Sequence, residues 1–342
     1  MDSKLIYRCG VTGLLALAFV VWAPVAAAKW ANPQLLVTAE ELQKNIEKRD
    51  WVVVDCRRLQ TYLKGHIPGA ISLGKPCGEA LRDPTSRIFK DVKKYESLFG
   101  KAGIANNTHV VVYSYDDDLR DATVAFWVME YLGHDGKVHL LNGGLDAWRK
   151  AGGRLGDKPT IKEPTTFTAK VVKSRYATTD EILKIANGQV KGVQLVDSRT
   201  GKEHKGEDIR ALRGGHVPNT SLNVSHLETL LKVKDPKTDK ETYIGYLDPD
   251  LAEKAFGKLD KNIRTIGYCQ TGTRSTMTYL QFRLMGFKDP ANWDDSWQVY
   301  GSTMGYPVAD EQWYDFAKVN SDLSSLQNKV KALEAAVKPA GK

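Results

Sequence analysis

The sequence predicts an α/β protein built from two similar domains, each a parallel sheet covered by helices, with a further helix at the C-terminus. Three observations lead there. The 342 residues exceed what one ordinary core fills. The two halves repeat the same order of local signals. Apolar strands alternate with polar loops and amphipathic helices, the pattern of parallel sheets. Composition agrees: 42% apolar and 26% charged residues, with a mean hydropathy of -0.38, exclude a polytopic membrane protein.

In chain order, Lys4 and Arg8 precede an apolar run over residues 11–21, and Ala26, Ala27 and Ala28 follow Pro24. A basic start, a short apolar stretch and small residues form the layout of a secretory signal, and the run is short against the roughly 20 residues that span a bilayer. Residues 1–28 are read as a signal peptide cleaved near Ala28, with a periplasmic or secreted destination. Cleavage removes Lys4, Arg8, Asp2 and also Cys9, taking the formal charge from +8 to +7. No basic block or aromatic-interleaved stripe accompanies that excess, so nucleic acid is not an expected partner; a mild bias toward small anions is.

The first domain is placed at residues 29–157 and the second at 173–313. Thr38 with Glu41, and Thr178 with Glu181, read as capping boxes that open short amphipathic helices. A β-rich run ending in an acid follows each: residues 51–55, ending at Asp55, and 193–197, ending at Asp197. Then come Gly65-His66-Ile67-Pro68 and Gly215-His216-Val217-Pro218. A second apolar strand follows in each half, at 109–114 and 264–269. Residues 158–172, with Pro159, Pro164 and several threonines, break both periodicities and read as the linker. In residues 314–342, Phe316, Val319, Leu323, Leu326, Val330, Leu333 and Val337 recur at intervals of three and four, a heptad seam that must bury its stripe on its own domain or in an oligomer.

Chemistry concentrates in Tyr268-Cys269-Gln270-Thr271-Gly272-Thr273-Arg274-Ser275, where a thiol follows an apolar strand and a short loop leads into a helix. Parallel sheets place sites at such carboxyl ends. A loop curled round the sulfur aims amide N–H groups at it, and the helix N-terminus and Arg274 add positive potential. Both favour the thiolate, the nucleophilic form. Gly272 suits a turn with positive φ and no room for a side chain.

Together with Asp197-Ser198-Arg199, the Gly215 to Pro218 segment and Trp293-Asp294-Asp295-Ser296-Trp297, this loop resembles a rhodanese domain. The first half is similar, with Asp55-Cys56-Arg57 and Leu141-Asn142-Gly143-Gly144-Leu145-Asp146-Ala147-Trp148. The resemblance spans about residues 35–313 and implies a tandem sulfurtransferase of the thiosulfate/mercaptopyruvate type. It implies that Cys269 takes a sulfane sulfur from thiosulfate or a related small anionic donor, holds it as a persulfide and passes it to cyanide or a thiol. Gln270, Thr271, Gly272, Thr273, Arg274, Ser275 and Arg199 would then bind the donor, with Asp197 in structural support; Asp197 and Arg199 also read as a pair that braces the loops. No cofactor and no metal are called for. Four residues separate Cys269 from Arg274, whereas related cysteine phosphatases have five.

The first half departs where it matters: Ser114 stands at the position of the nucleophile, followed by Asp116, Asp117 and Asp118, which would repel an anion and disfavour a thiolate. That domain is expected to be structural or interface-forming. In the second, Glu203 and Thr271 occupy places where thiosulfate-using members often carry basic residues, and Lys202, Arg210 and Arg213 are the cations nearby in sequence. The rival reading is a non-catalytic sulfur-relay or partner-binding module.

Of the other cysteines, Cys56 is expected to face inward as a small hydrophobe, while Cys77 either pairs with Cys56 or forms an intermolecular bond. With Cys269 they make an odd count in an oxidising compartment, so at least one thiol stays free or pairs between chains.

Overall fold

The computed structural model describes residues 28–337 except 86, 135, 235–237 and 240; the signal peptide expected over residues 1–28 lies outside the described residues but for Ala28. In the first domain the strands are β1 (Leu36–Val37), β2 (Trp51–Asp55), β3 (Ile71–Ser72), β4 (His109–Tyr113) and β5 (Val138–Leu141). They form one sheet in the order β1-β5-β4-β2-β3, every pair parallel. The second domain contributes β6 (Tyr176–Ala177), β7 (Val193–Asp197), β8 (Arg213–His216), β9 (Leu222–Asn223), β10 (Leu230–Lys234), β11 (Glu241–Leu247), β12 (Arg264–Tyr268), β13 (Asp289–Trp293) and β14 (Ala309–Trp313). Its main sheet, β6-β13-β12-β7-β9, repeats the first and is also all parallel. The hairpin β10–β11 and the pair β14–β8 are antiparallel additions.

Central strands β2, β4 and β12 are buried on both faces, which explains their nearly unbroken apolar runs. Helices cover each side. Thr38 and Glu41 form the full capping box expected of them. Thr178 caps only halfway: its hydroxyl accepts from the Glu181 amide, but the Glu181 carboxylate turns to Arg264 instead. A long-range ion pair outcompetes the local bond there. A second full box, Thr200 with Glu203, opens the helix Gly201–His204.

The domains meet through helix Arg120–Tyr131 of the first and helix Ser275–Leu284 of the second. Val124 and Val128 share one apolar core with Tyr279, Leu280 and Leu284. Thr123 Oγ1 lies 2.8 Å from Thr276 Oγ1, and the buried Glu130 carboxylate pairs with Arg283 at 2.8 Å and accepts from the Tyr279 hydroxyl. Residues 158–172 contain no regular element and run along the first domain, where Thr165 and Lys170 donate to the Gly100 and Leu132 carbonyls and Phe167 is buried. The last helix, Phe316–Val337, buries no residue, so its apolar seam is uncovered by its own domain.

Candidate functional site

Strand β12 ends at Tyr268, and the chain turns through residues 269–274 before helix Ser275–Leu284 begins. The geometry of that turn follows from where its carbonyls go. Trp297 and Gln298, in the first turn of helix Ser296–Tyr300, donate to the Cys269 and Gln270 carbonyls at 3.0 and 2.8 Å. Arg82 donates to the Thr271 carbonyl at 3.3 Å, Asn292 Nδ2 to that of Gly272 at 3.1 Å, and Thr276 Oγ1 to that of Thr273 at 2.8 Å. Five consecutive carbonyls are thus tied to groups around the loop. Among the described residues, none of the amides of Gln270, Thr271, Gly272, Thr273, Arg274 and Ser275 donates a hydrogen bond within the protein. They are unused donors in the loop that begins at Cys269 and ends at a helix N-terminus, a type of backbone arrangement that favours anions.

Cys269 is the one free cysteine among the described residues and is fully buried. Its amide donates to Ser296 Oγ at 3.1 Å. Ser275 Oγ lies 3.6 Å from the sulfur and donates to Asn292 Oδ1 at 2.6 Å. Gly272 has φ +71°, and a Cβ there would sit 2.5 Å from Asp294 Oδ1 and 2.6 Å from the Asp294 backbone, which explains the glycine on both counts.

Arg274 is the N-cap residue of the helix that follows the loop. It makes a two-pronged pair with Glu203, at 2.8 and 2.7 Å. Burial disfavours its charge, but the Glu203 bonds and the neighbouring Cys269 outweigh that and hold its pKa above the ordinary value. Burial likewise raises the pKa of Glu203, yet Arg274 brings it down to about 2. The acid that stands where a donor-binding cation was looked for therefore secures the loop arginine.

Arg199 has two readings from the sequence, a donor-binding residue and, with Asp197, a brace for the loops. It is 1% exposed, with Nε and Nη2 bonded to Asp197 and Nη2 also to the Gly215 carbonyl, and its guanidinium lies 4.5 Å from the Trp297 ring. The first domain repeats this unit: Arg57 bonds Asp55 and the Gly65 carbonyl in the same way. A device present also in a domain with no nucleophile fits a brace for the turn after β7. Asp197 is also bonded by His204, at 2.9 Å. Arg213 is occupied by Glu311 and the Thr303 carbonyl, and Arg210 by Asp208, so neither supplies a cation to the loop interior.

The pseudo-symmetry extends to the nucleophile position. Tyr113 accepts Cys56 N–H on its carbonyl and receives Ile67 N–H on its hydroxyl, as Tyr268 does with Ser198 and Val217. Ser114 therefore stands where Cys269 does, buried and with no partner for its hydroxyl among the described residues. Its acidic loop is internally satisfied, Asp116 by Arg149 and the Asp146 amide, Asp118 by Arg120. The hairpin β10–β11 closes over it, with Gly245 N–H on the Asp116 carbonyl at 2.6 Å. Cys56 and Cys77 form a disulfide, one of the two pairings expected of Cys77, which heads a short helix, Cys77–Ala80.

Sequence reasoning missed Arg82, Arg87, Asn292 and His226. Arg82 and Arg87 come from the first domain and bond Asp294 and Asp295 at 3.1 and 2.6 Å. No local motif marks them. His226 Nδ1 has no partner among the described residues, and burial beside Arg274 and Arg120 lowers the pKa to about 4. With Arg120 and Met277 it lines a cavity of about 290 Å³ between the domains.

A two-domain α/β protein with one intact cysteine loop and one silent copy is the class these features define. The family model for the rhodanese-like domain matches residues 38–151 and 178–303, and the chain belongs to that family, which transfers sulfur. A thiosulfate sulfurtransferase of Corynebacterium glutamicum is 30% identical over 297 residues, 83% of this chain and 93% of its own. Among solved structures, the 3-mercaptopyruvate sulfotransferase SseA of Escherichia coli superposes with a TM-score of 0.62 at 22% identity, over 77% of this chain and 98% of its own. The anaerobic ergothioneine biosynthesis enzyme of Chlorobium limicola, in complex with trimethyl histidine, does so with 0.67 at 22%, over 82% and 71%. At that identity the two structures attest the fold alone.

Proposed function

We propose that the protein moves a sulfane sulfur through a Cys269 persulfide. The Cys269 thiolate attacks the outer sulfur of thiosulfate; the S–S bond breaks and sulfite leaves with the electron pair, and a related donor loses its own leaving group in the same way. The terminal sulfur then carries the negative charge. Cyanide or a thiolate attacks that sulfur and restores the Cys269 thiolate. The observation that carries this reading is the run of six amides from Gln270 to Ser275 with no internal acceptor among the described residues, in the loop that starts at the one free thiol among them. Such preorganised donors stabilise an anion where it forms.

Export to the periplasm or beyond is part of the proposal, supported by the N-terminal sequence pattern and by the Cys56–Cys77 disulfide, a bond that persists in oxidising compartments. So is self-association through helix Phe316–Val337, whose seam leaves Leu323, Leu326 and Leu333 more than half exposed.

Intact mass after incubation with thiosulfate tests the chemistry. A gain of about 32 Da is expected, absent in Cys269→Ser and discharged by cyanide with release of thiocyanate. No gain with thiosulfate, mercaptopyruvate or a small persulfide would leave a binding scaffold.

A further inference from the structure

The catalytic loop is held from the first domain as well as from its own. Arg82 lies just beyond the short helix Cys77–Ala80, 5% exposed, with its guanidinium spread over the second domain. Nη1 donates to the Thr271 carbonyl at 3.3 Å and to Asp294 Oδ1 at 3.1 Å, Nη2 donates to Thr273 Oγ1 at 2.7 Å, and Nε is held by the Gly78 carbonyl at 3.1 Å. Asp294 is the residue on which Gly272 rests, and its other oxygen accepts the Ile88 amide at 2.8 Å. Arg87 adds a pair with Asp295. The segment therefore grips the loop at Thr271 and Thr273 and grips the Asp294 platform beneath Gly272.

The segment is itself anchored. The disulfide joins Cys77 to Cys56 at the end of β2, the Cys77 amide donates to the Cys56 carbonyl at 3.2 Å, and the Gly78 amide donates to Asp121 at 2.8 Å. Asp121 belongs to helix Arg120–Tyr131, which packs on helix Ser275–Leu284. These supports of Arg82 run back into the silent domain.

We propose that Arg82 is a positioning residue for the reaction, and that the first domain is retained to deliver it. Holding the Thr271 carbonyl outward fixes the peptide plane between Thr271 and Gly272, and so directs the Gly272 amide toward the sulfur. The Thr273 contact does the same for the turn that follows. A misaligned donor set loses much of its value, because electrostatic stabilisation requires the donors to be in place before the charge develops.

This inference rests on Cys269 as the sulfur carrier, so its test includes a readout that needs no sulfur donor. In Arg82→Ala, turnover in the thiosulfate–cyanide assay falls at least tenfold, mainly in kcat, and the pH profile of Cys269 alkylation by iodoacetamide, followed between about pH 5 and 9, moves to higher pH. Arg82→Lys recovers part of both, since an ammonium reaches one of the acceptors but not the fork. Where Arg82→Ala fails to fold because Asp294 is left charged and buried, Arg82→Met with Asp294→Asn removes both charges and is expected to show the same two changes. An unchanged alkylation profile with turnover within twofold in a folded variant overturns the proposal. So does a lowered melting temperature with normal kcat per folded molecule. Failure of thiosulfate turnover in the wild type, with the alkylation shift intact, would count against the sulfur-transfer reading and leave the positioning role standing.

Discussion

Replacing Gly272 with alanine places a methyl group in a space that Asp294 already fills. The new Cβ would lie 2.5 Å from Asp294 Oδ1 and 2.6 Å from both its Cα and its carbonyl oxygen, against roughly 3.5–4.0 Å for a comfortable carbon contact. Two of the three atoms are backbone and cannot swing away. The φ of +71° adds about 1–2 kcal/mol for any residue with a Cβ. Overpacking of this kind adds about 1–3 kcal/mol. The sum, about 2–5 kcal/mol, need not unfold the domain, because the loop can relieve it by giving up its native turn. At about 3 kcal/mol the ratio of native to relaxed loop falls roughly 150-fold, since each 1.4 kcal/mol is about tenfold. Thiocyanate formation should therefore drop by up to about two orders of magnitude in Gly272→Ala while the far-UV spectrum is retained. Activity within threefold of wild type at an unchanged melting temperature would refute the argument that this glycine sets the loop.

Glu203 supplies a pH signature. Its carboxylate is held at about 2 against an ordinary 4.5, so its stabilisation is full above pH 4.5 and is lost as pH falls toward 2. The shift corresponds to about 3 kcal/mol, of which about 2 should disappear between pH 6 and pH 3. Urea denaturation of wild type and Glu203→Gln at both pH values should show that loss in the difference between them; a pH-independent difference would remove Glu203 from the account. For the C-terminal helix, the chain ending at residue 313 should have a lower association state by light scattering than the chain ending at 342, and equal states would show that the exposed seam pairs with nothing.

Much of the fold was legible because each half repeats the period-two apolar runs and turn residues that parallel strands and their helices require. Cys269, the loop after it and the vacancy at Ser114 were legible for the same reason: they sit in one continuous stretch, and strand end, glycine and helix start are local signals. Local signals misled where a distant partner intervened. Glu181 was read as half of a capping box, but Arg264 takes its carboxylate across 83 residues of sequence. Arg199 has two readings, a donor-binding residue on the resemblance and a brace paired with Asp197; its bonds to Asp197 and Gly215, copied by Arg57 in the silent domain, favour the brace.

The sequence by itself determined the class of the protein: two α/β domains, one thiol in a six-residue loop, one copy with its nucleophile replaced. Spacing along the chain carries all of that. Tertiary structure decided which charges face which. It joined Cys56 to Cys77, turned Glu203 from an apparent defect into the partner of Arg274, and brought Arg82 across 189 residues to the Thr271 carbonyl. Hydrogen bonds and ion pairs reach only a few ångströms, so their partners are set by how the two domains pack, and no local pattern in the chain encodes that distance.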